Sequence, residues 1–275
     1  MNHNLPQIPQ IPPEVIYAIE EKRLILFLGA GVSCAAGGKN WDTISDEMLN
    51  IYRNQGLLEI EDLNRLQSED YYTRFEFLKQ KSPELFGDLL AKSLIVNEPN
   101  IIANFKILMK KLLKFKPVSI VTTNIDDLLQ KSNIVNRDKI FYLDDCNPQY
   151  IHKNCVFCIH GAPKNNIFVL SQKMYYYRAN NDFTFFLHNV FGSFCVLFIG
   201  YSLNPEDVLE GCYINTRSND KFYYHALVPS DLKLRGIGEM GLEMKYKIKL
   251  HKYPNNETLN YRYFKETIDA WTSKL

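Results

Sequence analysis

The sequence reads Leu24-Ile25-Leu26-Phe27-Leu28-Gly29-Ala30-Gly31-Val32-Ser33 at the point where an apolar run breaks into glycines. Such a run, followed by Gly-Ala-Gly and a polar segment, is typical of a strand that feeds a helix around a bound pyrophosphate. The glycines permit a sharp turn and a close approach of phosphate, and the free amide hydrogens of the first helical turn then face the anion. Gly37 completes only a loose glycine spacing, so an ordinary strand-to-helix turn remains the alternative.

Three further apolar segments end in polar residues or glycine. The residues at these ends are Asn124, Asp126, His160, Gly200 and Ser202, which close or follow the segments 118–122, 155–159 and 195–200. Ligands of open α/β sheets bind at the carboxyl ends of the strands. A histidine there is placed to act as a base, and amides or carboxylates can either bind a ligand or cap a helix. From the residues alone, a functional and a structural role both stay open at each end.

Strand-like and helix-like segments alternate along the chain, which predicts an α/β fold with a Rossmann-like, doubly wound, mostly parallel sheet. The predicted strands are 23–28, 118–122, 139–143, 155–159, 166–170, 195–200 and 222–228. The predicted helices are 13–22, 125–132, 171–178, 182–191, one from about 205, and 257–273. A Pro-rich arm over 1–13 precedes a domain over 14–275, and apolar residues at helical spacing predict an inserted helical subdomain over about 41–116.

The composition limits the kinds of partner that the chain is expected to bind. The chain has 32 basic and 31 acidic residues, so its formal charge of +1 gives no bulk attraction to nucleic acid or to an anionic membrane. No apolar run approaches the roughly 18 residues of a membrane helix. The first residues lack the basic start and apolar middle of a signal peptide. We therefore expect a cytoplasmic protein that binds neither membrane nor nucleic acid directly.

The six cysteines include one C-x-x-C pair, Cys155 and Cys158. A structural zinc site needs four ligands, and no second pair follows at the spacing of a zinc module. The segment around the pair also reads as a buried strand, in which cysteine behaves as a small apolar residue. Reduced core thiols without bound metal are the favoured interpretation, and a zinc site is the weaker one.

Taken in order, Gly-Ala-Gly-Val-Ser at 29–33, Thr-Thr-Asn-Ile-Asp at 122–126, His-Gly at 160–161 and Gly-Tyr-Ser-Leu at 200–203 resemble the motifs of the sirtuin family. Sirtuins have Gly-Ala-Gly-Ile-Ser, Thr-Gln-Asn-Ile-Asp, His-Gly and Gly-Thr-Ser-Leu in the same order. The resemblance covers roughly residues 20–230. It implies a Rossmann-like NAD-binding domain with a smaller inserted module.

The chain also departs from the deacylases of that family. Those enzymes have a four-cysteine zinc module between His-Gly and the Gly-Thr-Ser loop, whereas the 38 residues between Gly161 and Gly200 include only Cys195. They also continue the glycine loop with Pro-Asp-Phe-Arg, where this chain has Gly-Gly-Lys-Asn-Trp at 37–41. In both respects the chain resembles the sirtuin-like domains of bacterial anti-phage defence systems, which hydrolyse NAD+. Leu170-Ser171, with Tyr175 shortly after, also resembles these sirtuin-like defence domains.

The resemblance implies a role for each matching residue. Asn124, His160 and Asp126 would be catalytic: Asn124 would place water or hold the ribose, His160 would act as base, and Asp126 would orient the nicotinamide end or stabilise the cationic ribose. The NAD+-binding residues would be Gly29, Ala30, Gly31, Ser33, Thr123, Gly200 and Ser202. NAD+ would be a substrate, and no metal is expected.

The resemblance therefore implies an NAD+ glycohydrolase that depletes cellular NAD+ in abortive infection. Two other classes stay open: a sirtuin-type deacylase or ADP-ribosyltransferase, and a non-catalytic NAD- or nucleotide-sensing module. Because unrestrained NAD+ hydrolysis would kill the host, we expect a gated enzyme. The expected partners are further copies of the chain and a defence protein such as a translocase-type ATPase or an Argonaute-type protein.

Overall fold

The computed structural model describes residues 8–163, 167–168, 181–203, 224–232, 234, 237–255 and 261–275. The helices predicted over 171–178 and from about 205 lie outside these residues, as do Leu170, Ser171, Tyr175 and Cys212. In the described part of the chain, no helix combines the length and the apolar character that crossing a bilayer requires.

The centre of the fold is a seven-stranded sheet in which every neighbouring pair of strands is parallel. Its strands are β1 (Leu24–Leu28), β2 (Ser119–Thr122), β3 (Ile140–Tyr142), β4 (Cys155–Cys158), β7 (Cys195–Ile199), β8 (Tyr224–Pro229) and β9 (Ile248–Tyr253). The order in the sheet is β3-β4-β2-β1-β7-β8-β9. The chain therefore builds outward from β1 on one side and then crosses to the other side, which confirms the predicted Rossmann-like, doubly wound α/β fold.

Helices cover both faces of the sheet. They are α1 (Pro13–Glu20), α2 (Ala30–Ala35), α3 (Trp41–Asn54), α4 (Ile60–Gln67), α5 (Tyr71–Lys81), α6 (Pro83–Ser93), α7 (Pro99–Leu112), α8 (Leu128–Ser132), α9 (Asn181–Ser193), α10 (Glu239–Tyr246) and α11 (Arg262–Thr272). Side chains of β1 alternate between the two faces. Ile25 and Phe27 pack with α9 and α10, whereas Leu24, Leu26 and Leu28 pack with α1, α2, α7, α8 and α11. Burial on both faces explains the uninterrupted apolar sequence of β1.

The predicted helical insertion divides into two parts in the structure. Helices α3 to α6 share an apolar core of their own, and we call these four helices the helical module. Helix α7 packs instead into the core beneath the sheet, through Phe105, Leu108 and Leu112 among others. One residue from outside the segment 41–94, Ile125, is buried in the module core at 1% exposure. The module is therefore attached to the sheet at the turn that follows β2.

The buried Arg74 ties the module together. Its guanidinium donates to the carbonyl oxygens of Leu66 and Gln67, both at 2.9 Å, and pairs with the Asp46 carboxylate at 2.6 Å. These bonds join α5 to the end of α4 and to α3. Because they replace the water that a guanidinium loses on burial, they fix the position of the first turn of α5.

Strand β9 and helix α10 are among the elements that were not predicted from the sequence. Strand β9 has the sequence Ile-Lys-Leu-His-Lys-Tyr and is fully buried only at its two ends, as befits a strand at the edge of the sheet. Helix α10 precedes it. The predicted strand over 166–170 includes β6 (Ile167–Phe168), which pairs antiparallel with β5 (Gly161–Ala162) outside the main sheet.

Candidate functional site

The strand register brings the four motifs to one edge of the sheet. Leu28 pairs with both Thr122 and Ile199, and Thr122 pairs with Cys158. The glycine loop, Asn124, His160 and Gly200 therefore leave the sheet at one level, from four adjacent strands. Since β1 and β7 flank the point where the strand order reverses, this edge is the place where open α/β sheets bind ligands.

The glycines after β1 pack directly on the backbone after β7. Gly29 N–H donates to Ile199 O at 3.0 Å, and Gly31 N–H donates to Gly200 O at 2.8 Å. Gly200 has a φ of +65°, and a Cβ on Gly31 would lie 2.8 Å from Gly200 Cα. Two of the amide hydrogens that we expected to face an anion are thus already bonded within the protein. These glycines allow the turns after β1 and β7 to pack together at the point where the strand order reverses, which we call the switch point.

Asn124, Ser33 and Asp126 form a buried chain of hydrogen bonds. Asn124 Nδ2 donates to Ser33 Oγ at 2.9 Å, and Ser33 Oγ donates to Asp126 Oδ2 at 2.6 Å. Asn124 is 8% exposed, and its Oδ1 is buried without a hydrogen-bond partner among the described residues. The hydroxyl of Ser33, a residue that we expected to bind NAD+, is thus hydrogen-bonded to the two proposed catalytic side chains.

These bonds fix the orientation of the Asn124 amide. Ser33 has one hydroxyl hydrogen, and the carboxylate of Asp126 takes it, so the hydroxyl oxygen must accept its second bond. The amide therefore turns its nitrogen to Ser33 and its oxygen away from Ser33. A buried acceptor oxygen without a donor is costly, which makes Asn124 Oδ1 a position that favours an incoming O–H or N–H group.

Burial raises the pKa of the Asp126 carboxyl, although the hydrogen bonds from Ser33 Oγ and from the Leu128 amide oppose the shift. The neighbouring Asp127 has a separate role. Its carboxylate accepts from the Val96 amide at 2.9 Å and pairs with Lys131 at 2.8 Å, which ties α8 to the loop that precedes α7. Of the two consecutive aspartates, only Asp126 is bonded to Ser33.

Two cavities meet at this edge. The first has a volume of about 280 Å³ and is lined by Gly31, Thr123, His160, Gly200, Ser202 and Tyr253 among others. The second has a volume of about 240 Å³ and is lined by Ser33, Gly38, Val96, Asn124 and Asp126 among others. Ala30 and Trp41 line both cavities. All the predicted site residues except Gly29 thus line one or both of two adjoining spaces, which we call the histidine cavity and the asparagine cavity.

His160 follows β4 at the edge of the sheet and is half-buried. Gly161 after it has a φ of +95°, a backbone conformation that lets the chain turn away into β5. Cys34 also lines the histidine cavity, but burial raises its pKa to about 11. It is therefore a neutral thiol near pH 7 and a poor nucleophile, which leaves His160 as the better candidate for proton transfer in that cavity.

Several aromatic residues of the histidine cavity were missed by the site prediction. Tyr71 and Tyr72 come from the first turn of α5, and Tyr253 comes from the unpredicted strand β9. Two adjacent tyrosines directly after Asp70, which caps α5 by accepting from the Thr73 amide at 2.9 Å, were the available signal. Their position opposite the sheet edge depends on the packing of the module and is not readable from nearby sequence.

Cys155 and Cys158 lie in β4, and their side chains belong to the cores on opposite faces of the sheet. The two sulfurs therefore cannot bind one metal ion together. Among the described residues, no group of three or more His, Cys, Asp or Glu side chains is arranged to hold a metal.

The sheet topology and the cavities at its carboxyl edge define the class of protein: a Rossmann-like α/β protein with a cleft where the strand order reverses. Within it, residues 118–227 match the family model described as SIR2-like domain. The match includes Asn124, Asp126, His160, Gly200 and Ser202, and it supports the resemblance to sirtuins. It leaves out the glycine loop and the helical module. No curated protein matches the chain significantly.

Proposed function

We propose that this protein is an NAD+ glycohydrolase, which cleaves NAD+ to nicotinamide and ADP-ribose. The observation that carries the proposal is the pair of adjoining cavities, with the orphaned Asn124 oxygen and Asp126 in one and His160 in the other. Two adjoining cavities suit NAD+, because its nicotinamide and its ribose must be held on either side of the bond that breaks.

The size of the cleft fits an extended dinucleotide. The histidine cavity reaches from His160, after β4, to Tyr253 on β9, and five strand intervals separate these two strands. At ~4.8 Å for each interval, the edge is about 24 Å long. In this arrangement the adenosine part lies toward β9, the nicotinamide lies in the asparagine cavity, and Gly31, Thr123, Gly200 and Ser202 line the path between them.

The reaction needs little acid catalysis because nicotinamide leaves as a neutral pyridine. The bond between ribose C1′ and the pyridinium nitrogen breaks, and its electron pair goes to nitrogen. Positive charge develops on the ribose, and the proposed role of the Asp126 carboxylate is to stabilise it. Water then forms the new C1′–O bond and gives up a proton, for which His160 is the proposed acceptor. Asn124 Oδ1 accepts an O–H hydrogen from this water or from a ribose hydroxyl.

The test is to incubate purified protein with NAD+ and to separate the products by chromatography. We expect nicotinamide and free ADP-ribose in equal amounts without any peptide, and strong loss of both in His160→Ala and Asn124→Ala. His152→Ala is the matched control, because His152 packs on Phe194 away from both cavities. Full turnover by folded His160→Ala and Asn124→Ala would refute these roles. Product release only with an acetyl-lysine peptide would refute hydrolysis and establish a transferase.

The proposed biological role is that of a cytoplasmic anti-phage effector that depletes NAD+ in abortive infection. Its activity would be gated by self-assembly or by a defence partner, such as a translocase-type ATPase or an Argonaute-type protein. We expect the specific activity to rise with protein concentration as homo-oligomers form. Light scattering and initial rates over the same dilution series test this, and a monomer that is equally active at every concentration would exclude gating by self-assembly.

A further inference from the structure

Trp41 occupies an unusual position in the cleft. It lines both the histidine cavity and the asparagine cavity, and only Ala30 shares this property among the described residues that line the two spaces. Ala30 contributes no more than a methyl group. Trp41 is therefore the large side chain at the junction of the two cavities.

The local structure holds the indole in place. Trp41 is the first residue of α3, and Asn40 caps that helix by accepting from the Thr43 amide at 2.7 Å. The ring stacks on Tyr71 at a centroid distance of 6.0 Å and 18°, and it meets Phe75 edge-on at 6.0 Å. Tyr71 itself stacks on Tyr72 at 4.3 Å. Since Tyr71 and Phe75 belong to α5, two helices of the module fix the orientation of the indole.

The junction is where the reacting bond must lie if the proposed function is correct. Nicotinamide in the asparagine cavity and ribose in the histidine cavity are joined by one bond, which has to cross between the two spaces. That bond joins a cationic pyridinium ring to a carbon that becomes cationic as the ring leaves. An aromatic face attracts a nearby cation, and among side chains indole does so most strongly.

We infer that Trp41 presents its face to the pyridinium ring and the adjoining C1′ of NAD+, and stabilises the positive charge as it moves to the ribose. This inference rests on the proposed function and adds a catalytic residue that comes from the helical module. It also assigns a preference among ligands. Oxidised NAD+ has a charged nicotinamide ring, whereas NADH has a neutral one, so Trp41 should discriminate between them.

Fluorescence tests the contact without requiring turnover. The chain has two tryptophans, and Trp271 is buried against α1 and β9, with its Nε1 bonded to Pro9 O at 2.7 Å. Quenching of Trp41 by a stacked pyridinium ring is therefore read as the difference between wild type and Trp41→Phe. We expect NAD+ to quench more strongly than ADP-ribose, which lacks the pyridinium, and the difference to vanish in Trp41→Phe.

Kinetics test the effect on the chemical step. Trp41→Leu keeps an apolar side chain but removes the aromatic face, and we expect about tenfold or greater loss in kcat. Trp41→Phe should retain more activity than Trp41→Leu. Phe77→Leu is the matched control: Phe77 belongs to the same module and packs under Arg65, with the guanidinium 4.9 Å from the ring centroid, outside both cavities. Its kcat should equal that of wild type.

The outcomes separate this inference from the proposed function. Wild-type kcat in Trp41→Leu, or equal quenching by NAD+ and ADP-ribose in a protein that cleaves NAD+, would overturn the role of Trp41 and leave hydrolysis standing. Selective quenching by NAD+ in a protein that never releases nicotinamide would overturn the proposed hydrolysis while supporting the contact with the pyridinium ring.

Discussion

Replacement of Gly31 by alanine tests the contact between the turns after β1 and β7. The new Cβ would lie 2.8 Å from Gly200 Cα and 2.9 Å from Gly200 O, and neither atom belongs to a flexible side chain. Overpacking of this kind costs roughly 1–3 kcal/mol, with the upper part of the range fitting backbone on both sides. Weakening the Gly31 N–H bond to Gly200 O adds about 1 kcal/mol.

One term opposes this cost. Gly31 lies within α2, where alanine is favoured over glycine by about 1 kcal/mol. The net expectation for Gly31→Ala is a loss of about 2–3 kcal/mol in the free energy of unfolding. Gly87→Ala provides the matched control, because Gly87 lies inside α6 and its added Cβ would meet nothing within 4 Å. The same substitution there should stabilise the protein by about 0.5–1 kcal/mol.

Urea-induced unfolding followed by circular dichroism measures both effects, provided that the dependence on urea is the same for all variants. Opposite signs for the two alanine substitutions are expected. If Gly31→Ala were as stable as wild type, the turns after β1 and β7 would not be in contact at the calculated distance, and the account of the switch point would be wrong.

Two further predictions concern Ser33, on the helix after the central strand β1, and His225, on β8. Ser33→Ala removes the hydroxyl between Asn124 and Asp126, so we expect kcat for NAD+ to fall by roughly 10- to 100-fold with little change in KM, as is typical when a supporting hydrogen bond is lost. Ser132→Ala, which removes a buried hydroxyl bonded to Leu129 O, is the control, and an unchanged kcat in Ser33→Ala would contradict the proposed positioning. Burial next to His251 lowers the pKa of His225 from 6.5 to about 4. Because the folded state then binds fewer protons than the unfolded state, stability is lost as the pH falls from 6.5 to 4, by about 3 kcal/mol in total. Urea midpoints at pH 7 and pH 4 should show a smaller loss of stability in His225→Gln than in wild type, and the loss that remains includes that of His251, whose pKa burial also lowers. An equal loss of stability in the two proteins would refute the role of His225.

The sheet could be predicted because its central strands are covered on both faces. β1 and β7 are short, continuous apolar runs that are each followed by glycine, a pattern typical of parallel strands buried on both faces. Once the strands are parallel, the residues after them must share one edge. The meeting of Asn124, His160 and Gly200 therefore followed from local sequence alone.

The rest of the site depends on tertiary contacts that could not be predicted from the sequence. A glycine that packs against another turn and a glycine that lets a phosphate approach look the same in a sequence. The hydrogen bond from Gly31 N–H to Gly200 O was therefore not predicted. Strand β9 alternates apolar residues with lysine and histidine, a pattern typical of a half-buried strand, and the sequence prediction missed it. Tyr71 and Trp41 are neighbours only because α3 and α5 pack together, and this pairing joins residues far apart in the chain.

The burial of Ile125 in the module core has a thermodynamic consequence. Asn124 and Asp126 are its immediate chain neighbours, so the free energy that holds the module closed is also the free energy that holds these two side chains in register. A molecule whose module has opened or unfolded loses that anchor. The positions of these two proposed catalytic side chains are thus coupled to the integrity of a separate core, and we expect copies of the chain with an unfolded module to lose NAD+ hydrolysis.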